Sequence, residues 1–249
     1  MPRFSIPDYA GLSVQEAVAL QQRLRQQVVC DDRFEAVHCV AGVDVSVERQ
    51  GDLGHAAVVV LHLLDMQVEE QVVVSAPVRF PYVPGLLGFR EVPIVLEALN
   101  RLQRLPDVLL CDGQGTAHPR RFGLACHLGL LADIPSIGVA KSRLCGHHAP
   151  VADERGAWVP LYDGAEVIGA VLRSRPGTKP LYVSPGHRVS LRSAIELVLR
   201  CVTHYRLPEP TRLAHQLIST GMGKNVTEPS TPHQATLWDW NDGSNVPQE

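Results

Sequence analysis

Two aspartates stand at the ends of apolar runs. Asp44 interrupts Val40-Ala41-Gly42-Val43-Asp44-Val45, and Asp112 closes Val108-Leu109-Leu110-Cys111. If both runs are β-strands paired side by side and parallel, they lie about 4.8 Å apart. Their carboxylates then meet at the strand ends, where open α/β sheets place ligands. Paired hard oxygen donors suit magnesium or manganese. One such acid alone is as readily a solvent-facing residue at a sheet edge; the second tips the balance toward chemistry.

Asp112 also opens Asp112-Gly113-Gln114-Gly115-Thr116-Ala117-His118-Pro119-Arg120-Arg121. The plain reading is a glycine turn before a capped helix. The chemical reading is a phosphate-handling loop, in which exposed amides and a positive helix end attract anions and His118 bonds or moves a proton. Lysine is scarce, with Lys141, Lys179 and Lys224 against 20 arginines, yet Lys141 stands just after the expected strand 136–140. A compact ammonium there can offset phosphate charge, although a strand-end lysine taken alone is a solvated residue. Phe80-Pro81-Tyr82-Val83-Pro84-Gly85 fixes Tyr82 between two prolines, as a packed loop aromatic or as a stiff wedge able to enter a base stack. Glu91 opens the following helix, where it either offsets the helix dipole or reaches a metal. His215 near the end of the chain is by default an ordinary surface or core histidine, with metal contact as the alternative.

The elements that must position these residues follow from patterning. Ser13-Val14-Gln15-Glu16 reads as a capping box opening a helix to about Val28. Three Val- and Leu-rich runs (39–47, 55–64 and 68–78), separated by the short turns 49–52 and 65–67, form an antiparallel meander. A rigid Pro/Gly loop spans 80–88 and a helix 90–104. Strand 108–111 follows, then a helix with Pro119 in its first turn running to about Asp133, then strand 136–140. Strand–helix–strand order requires parallel pairing. The expected fold is α/β, a mixed sheet of meander plus βαβαβ flanked by helices. Residues 143–186 read as a less regular excursion with strand candidates at 158–162, 167–172 and 181–183. Helices are expected at 190–205 and 211–220.

The chain has 249 residues and is 45% hydrophobic, enough for one sizeable core. Residues 1–220 read as one domain, and 221–249, rich in Pro, Asn and Ser, as a disordered tail in which Trp238 and Trp240 form a docking element. Apolar runs such as 56–64 reach about half a bilayer span, so no membrane helix is expected. The start of the chain lacks a signal core, and six cysteines without a Cys-x-x-Cys pair suit reduced thiols, so a cytoplasmic location is expected. The net charge of −3 conceals segregation: residues 1–112 hold 9 basic and 15 acidic residues, and residues 113–220 hold 13 and 7. An acidic metal site and a basic anion-binding face are both compatible with this.

These segments, in this order, closely resemble the endonuclease V family of deoxyinosine 3′ endonucleases. The resemblance rests on Ala41-Gly42-Val43-Asp44, Pro81-Tyr82-Val83-Pro84-Gly85 through Phe89-Arg90-Glu91, Pro106-Asp107-Val108 through Arg120, and Ile137 through Leu144. It continues in Leu161-Tyr162-Asp163-Gly164, Val183-Ser184-Pro185-Gly186-His187 and Pro208 through His215. It implies a ribonuclease-H-like fold and hydrolysis of the second phosphodiester 3′ to a hypoxanthine nucleotide, with Mg2+ or Mn2+. By the same resemblance Asp44 and Asp112 are metal ligands, with Glu91 and His215 completing the centre. Tyr82 is the wedge that fills the gap left by a flipped-out base. Gly85, Leu87, Gly113, Gly123 and Leu124 line the lesion pocket, and His118 and Lys141 lie close to the scissile phosphate. Arg120, Arg121 and Arg143 are expected along the phosphate path. The expected partner is DNA containing deoxyinosine, engaged by a monomer with no membrane.

Three other readings stand beside this one at this stage. An enzyme of the same fold acting on inosine-containing RNA would carry the same motifs. A non-catalytic damage sensor would bind through arginine-rich faces, but a pure binder has no use for Asp44, Glu91 and Asp112 gathered near phosphate. A small-molecule phosphate hydrolase has only the glycine turn in its favour.

Overall fold

Every residue from Val108 to Cys111 is apolar and buried, so this strand must be covered on both faces. A computed structural model, describing residues 2–48 and 53–221, shows how. The elements in chain order are α1 (Val14–Arg25), β1 (Cys39–Val47), β2 (Leu53–His62), β3 (Val68–Pro77), α2 (Gly88–Arg101), β4 (Val108–Cys111), α3 (Leu124–Ala132) and β5 (Ser136–Ala140). They continue as β6 (Trp158–Asp163), β7 (Glu166–Leu172), β8 (Leu181–His187), α4 (Leu191–Arg200) and α5 (Glu209–Gly221). One eight-stranded mixed sheet results, in the order β3-β2-β1-β4-β5-β8-β7-β6.

The meander and the parallel β1-β4-β5 trio are as expected. Strands β1, β4 and β5 have the expected bounds, and Ser13 caps α1 in a complete capping box. Three expectations change. The 143–186 segment is no excursion: β6, β7 and β8 pair antiparallel and join the sheet through β5–β8. Pro119 does not open a helix, because α3 starts at Leu124 with Gly123 as N-cap. The helix expected over 190–205 ends at Arg200. The turn at 49–52 and the tail with Trp238 and Trp240 lie outside the described residues.

Alternation along the strands sorts side chains into two cores. Val40, Leu110 and Val139 face α4 and α5, through Ile195, Val198, Ala214 and Ile218. Ala41, Val43, Leu109 and Cys111 face α2 and α3. Helix α5 lies very close on β1: a Cβ at Gly42 would stand 2.0 Å from the Pro210 carbonyl carbon and oxygen. Only glycine admits that approach, which brings His215 over the strand ends. Gly42→Ala is therefore expected to destabilise the protein by at least about 2 kcal/mol, read as a lower denaturation midpoint in urea; an unchanged midpoint would refute the tight approach.

Candidate active site

β1 and β4 pair in parallel with Val43 opposite Cys111, and the Asp112 amide donates to the Val43 carbonyl at 3.0 Å. The next pair in that register is Asp44 and Asp112. By the two-residue period both side chains emerge on the α5 face. There His215 Nδ1 lies 2.8 Å from Asp44 Oδ2, and Lys141 Nζ, just past β5, lies 2.5 Å from Asp112 Oδ2. One donor atom from each of Asp44, Asp112 and His215 falls within 4.8 Å of the others. Two carboxylates and an imidazole at such separations match the donor set of a divalent cation.

The electrostatics agree with that fit. Burial raises the Asp44 carboxyl above its ordinary range; the His215 bond opposes this and the nearby Asp112 charge adds to it. Glu91, in the first turn of α2, is pushed up to about 8, by burial first and then by Asp44 and Asp112. Burial and mutual repulsion resist ionisation of Asp44 and Glu91, and a cation at the centre would relieve both. Glu91 thus shares the field of the centre, but it is not within the three-donor group.

The glycine turn is built differently from a loop of free amides. The amides of Gly115, Thr116, His118, Arg121 and Gly123 all have backbone or hydroxyl acceptors, and the Arg120 amide donates to His118 Nδ1. That bond makes Nδ1 an acceptor and leaves the ring proton on Nε2. Burial and the flanking Arg120 hold His118 down to about 4, so it is a neutral, buried imidazole. Arg121, expected on a phosphate, instead forks onto Asp163 and Glu166, each at 2.8 Å. Arg120 turns inward to Gln21 and the Gly85 carbonyl. Of the three arginines only Arg143 is exposed.

The residues expected around the lesion fall in two segments, 82–87 and 113–124. Tyr82 and Leu87 are 71% and 42% exposed, on either side of Gly85, whose φ of +79° is natural only for glycine. In the second segment, a Cβ on Gly113 would touch Leu124 at 3.4 Å, and Gly123 lies against the Gln114 carbonyl. Two contributors escaped the sequence reading. Arg206 donates to the Lys141 and Pro180 carbonyls, both at 2.8 Å, and no local motif announces it. Gln21 did leave a signal: it lies four residues after Ala17, and these two are the buried positions of α1.

The fold is a mixed α/β protein, an eight-stranded sheet flanked by helices with paired acids at adjacent parallel strand ends. The endonuclease V family model matches residues 22–216. Endonuclease V of Trichormus variabilis is 54% identical over 209 residues, covering 84% of this chain and 95% of that relative. The crystal structure of endonuclease V from Streptomyces avermitilis superimposes with a TM-score of 0.83 at 42% identity, covering 88% of this chain and 96% of the other. Endonuclease V of Ciona intestinalis, solved with a 24mer DNA containing an inosine followed by a ribo-adenosine, gives 0.74 at 27% identity, over 84% and 98% of the two chains. The chain belongs to the endonuclease V family. It is a nuclease, and no helix among its described residues is long and apolar enough to cross a membrane.

Proposed function

We propose that this nuclease recognises deoxyinosine in DNA and hydrolyses the second phosphodiester 3′ to it, with Mg2+ held by Asp44, Asp112 and His215. The observation that carries the reading is the three-donor cluster with Lys141 beside it, on an endonuclease V fold. A divalent cation bound there would supply Lewis-acid stabilisation of charge on the phosphate, and Mn2+ offers the same. Lys141 offsets phosphate charge from the Asp112 side. Arg143 extends positive potential along the strand, while Arg120 and Arg121 shape the loop rather than meet phosphate. Neutral His118 orients through its Nε2 proton. Glu91 tightens the demand for a cation.

The base must leave the stack to be read, and a poorly paired hypoxanthine is the least costly to extrude. Tyr82, exposed and held between prolines, then fills the vacated space. Tyr82→Ala should reduce cleavage of inosine-containing duplex by about 5- to 100-fold, the worth of one stacking contact, with Mg2+ affinity unchanged by titration. Equal cleavage by both proteins would remove Tyr82 from the reading.

Inosine-containing RNA is a second reading, favoured by the ribo-adenosine after the inosine in the Ciona complex. Matched DNA and RNA oligonucleotides, incubated with and without Mg2+ and mapped for the cut position, test both readings. Cleavage anywhere but at the second phosphodiester 3′ of the lesion would undo the assignment.

A further inference from the structure

Gln21 occupies a position on α1 that an apolar residue would fill, and it is 3% exposed. Its Nε2 donates to the Gly85 carbonyl at 3.0 Å and to the Phe122 carbonyl at 2.8 Å. Its Oε1 accepts from Arg120 Nε, and Arg120 Nη2 donates to the same Gly85 carbonyl at 2.7 Å. Both amide protons are used, so the amide has one possible orientation: turned over, its oxygen would face two carbonyls. The two carbonyls belong to different segments of the chain. Gly85 follows Tyr82 by three residues, and Phe122 directly precedes Gly123 and Leu124. A Cβ on Gly85 would stand 2.6 Å from Arg120 Nη2, so loop and brace are fitted to each other.

We propose that Gln21, with Arg120, is a positioning residue that holds the Tyr82 loop and the Gly123–Leu124 turn at the separation the extruded base requires. Helix α1 thereby takes part in lesion selection from outside the metal centre. The inference rests on the inosine reading above. It differs from a mere packing role in a way that can be measured, because loosening the two segments weakens discrimination between bases while leaving the strand-cutting centre intact.

The test uses the full chain with Mg2+ and compares Gln21→Met, of similar volume but without the amide, with the wild type. Matched inosine-containing and unmodified oligonucleotides give kcat and KM, and thermal unfolding is followed in parallel. The expected result is a fall of about tenfold to a hundredfold in kcat/KM for inosine, carried by KM. The inosine-to-unmodified ratio should fall in step. Arg120→Met should give the same loss, and the double variant should lose no more than the worse single one, because both act through one network. If Gln21→Met does not fold, Gln21→Asn, which keeps the amide one methylene short, should show the same fall in ratio below its own melting temperature. An unchanged ratio in a folded Gln21 variant, beside a wild type that prefers inosine, overturns the brace alone. A wild type that does not prefer inosine overturns the functional reading and the brace with it.

Discussion

Asp44→Asn is expected to cut nicking of an inosine-containing oligonucleotide by about a thousandfold, the scale of several kcal/mol of lost charge stabilisation. The substitution keeps shape and an oxygen acceptor but removes a charge from a three-donor site. The fold should not suffer. Asp44 is buried and its carboxyl is already pushed up, so a neutral amide removes a desolvation penalty, and it can still bond His215 Nδ1. A metal titration separates loss of the site from loss of structure. In the wild type, Mg2+ at a hundred times its dissociation constant should add about 2.7 kcal/mol of stability, seen as a rise in melting temperature. In Asp44→Asn that rise should vanish while the metal-free melting temperature holds or increases. Full activity in the variant would sink the metal-centre reading.

Much of this site was legible before any coordinates because it rests on backbone regularity. Strand 108–111 is an unbroken apolar run and 136–140 nearly so, broken only by Ser136, and such runs have few alternatives to a buried parallel strand. With β1 and β4 parallel neighbours and Val43 opposite Cys111, the two-residue period carries Asp44 and Asp112 to one face. The 112–123 segment was not legible in the same way. Pro119 is a good first-turn residue, but the chain there is held by tertiary bonds, from Gly115 to Ser184 Oγ and from Thr116 to the Pro185 carbonyl. Those partners belong to a strand some 70 positions on, whose place beside β5 is a matter of topology rather than local pattern. For the same reason Arg121 looked available: Asp163 and Glu166, which bind it, sit at the hairpin between β6 and β7. Segment 158–187 lacks the helices that mark a parallel crossover, so its strands could be suspected singly but not joined to the sheet.

Glu91→Gln should make the metal-free protein more stable and a poorer enzyme. Glu91 is nearly fully buried beside Asp44 and Asp112 and titrates at about 8 in the folded chain, against 4.5 as its ordinary value. Between those values the folded state holds a proton that the unfolded state has released. Stability must therefore fall as pH rises from about 4.5 to about 8, by a few kcal/mol in all. In EDTA, urea midpoints of the wild type should decline across this window, and in Glu91→Gln, which cannot ionise, that part of the decline should be absent. Added Mg2+ should flatten the wild-type curve, because positive charge at the centre favours the ionised carboxylate. The same substitution removes one of the negative charges that draw a cation in, so nicking should drop by about tenfold to a hundredfold and need more Mg2+ for half-activity. The two effects have opposite signs at one residue, which is what a buried acid retained for function rather than for folding should give. A wild-type midpoint that stays level from pH 5 to 8 in EDTA, or rises, would show that Glu91 is ionised without metal and that the acids are balanced by the protein itself.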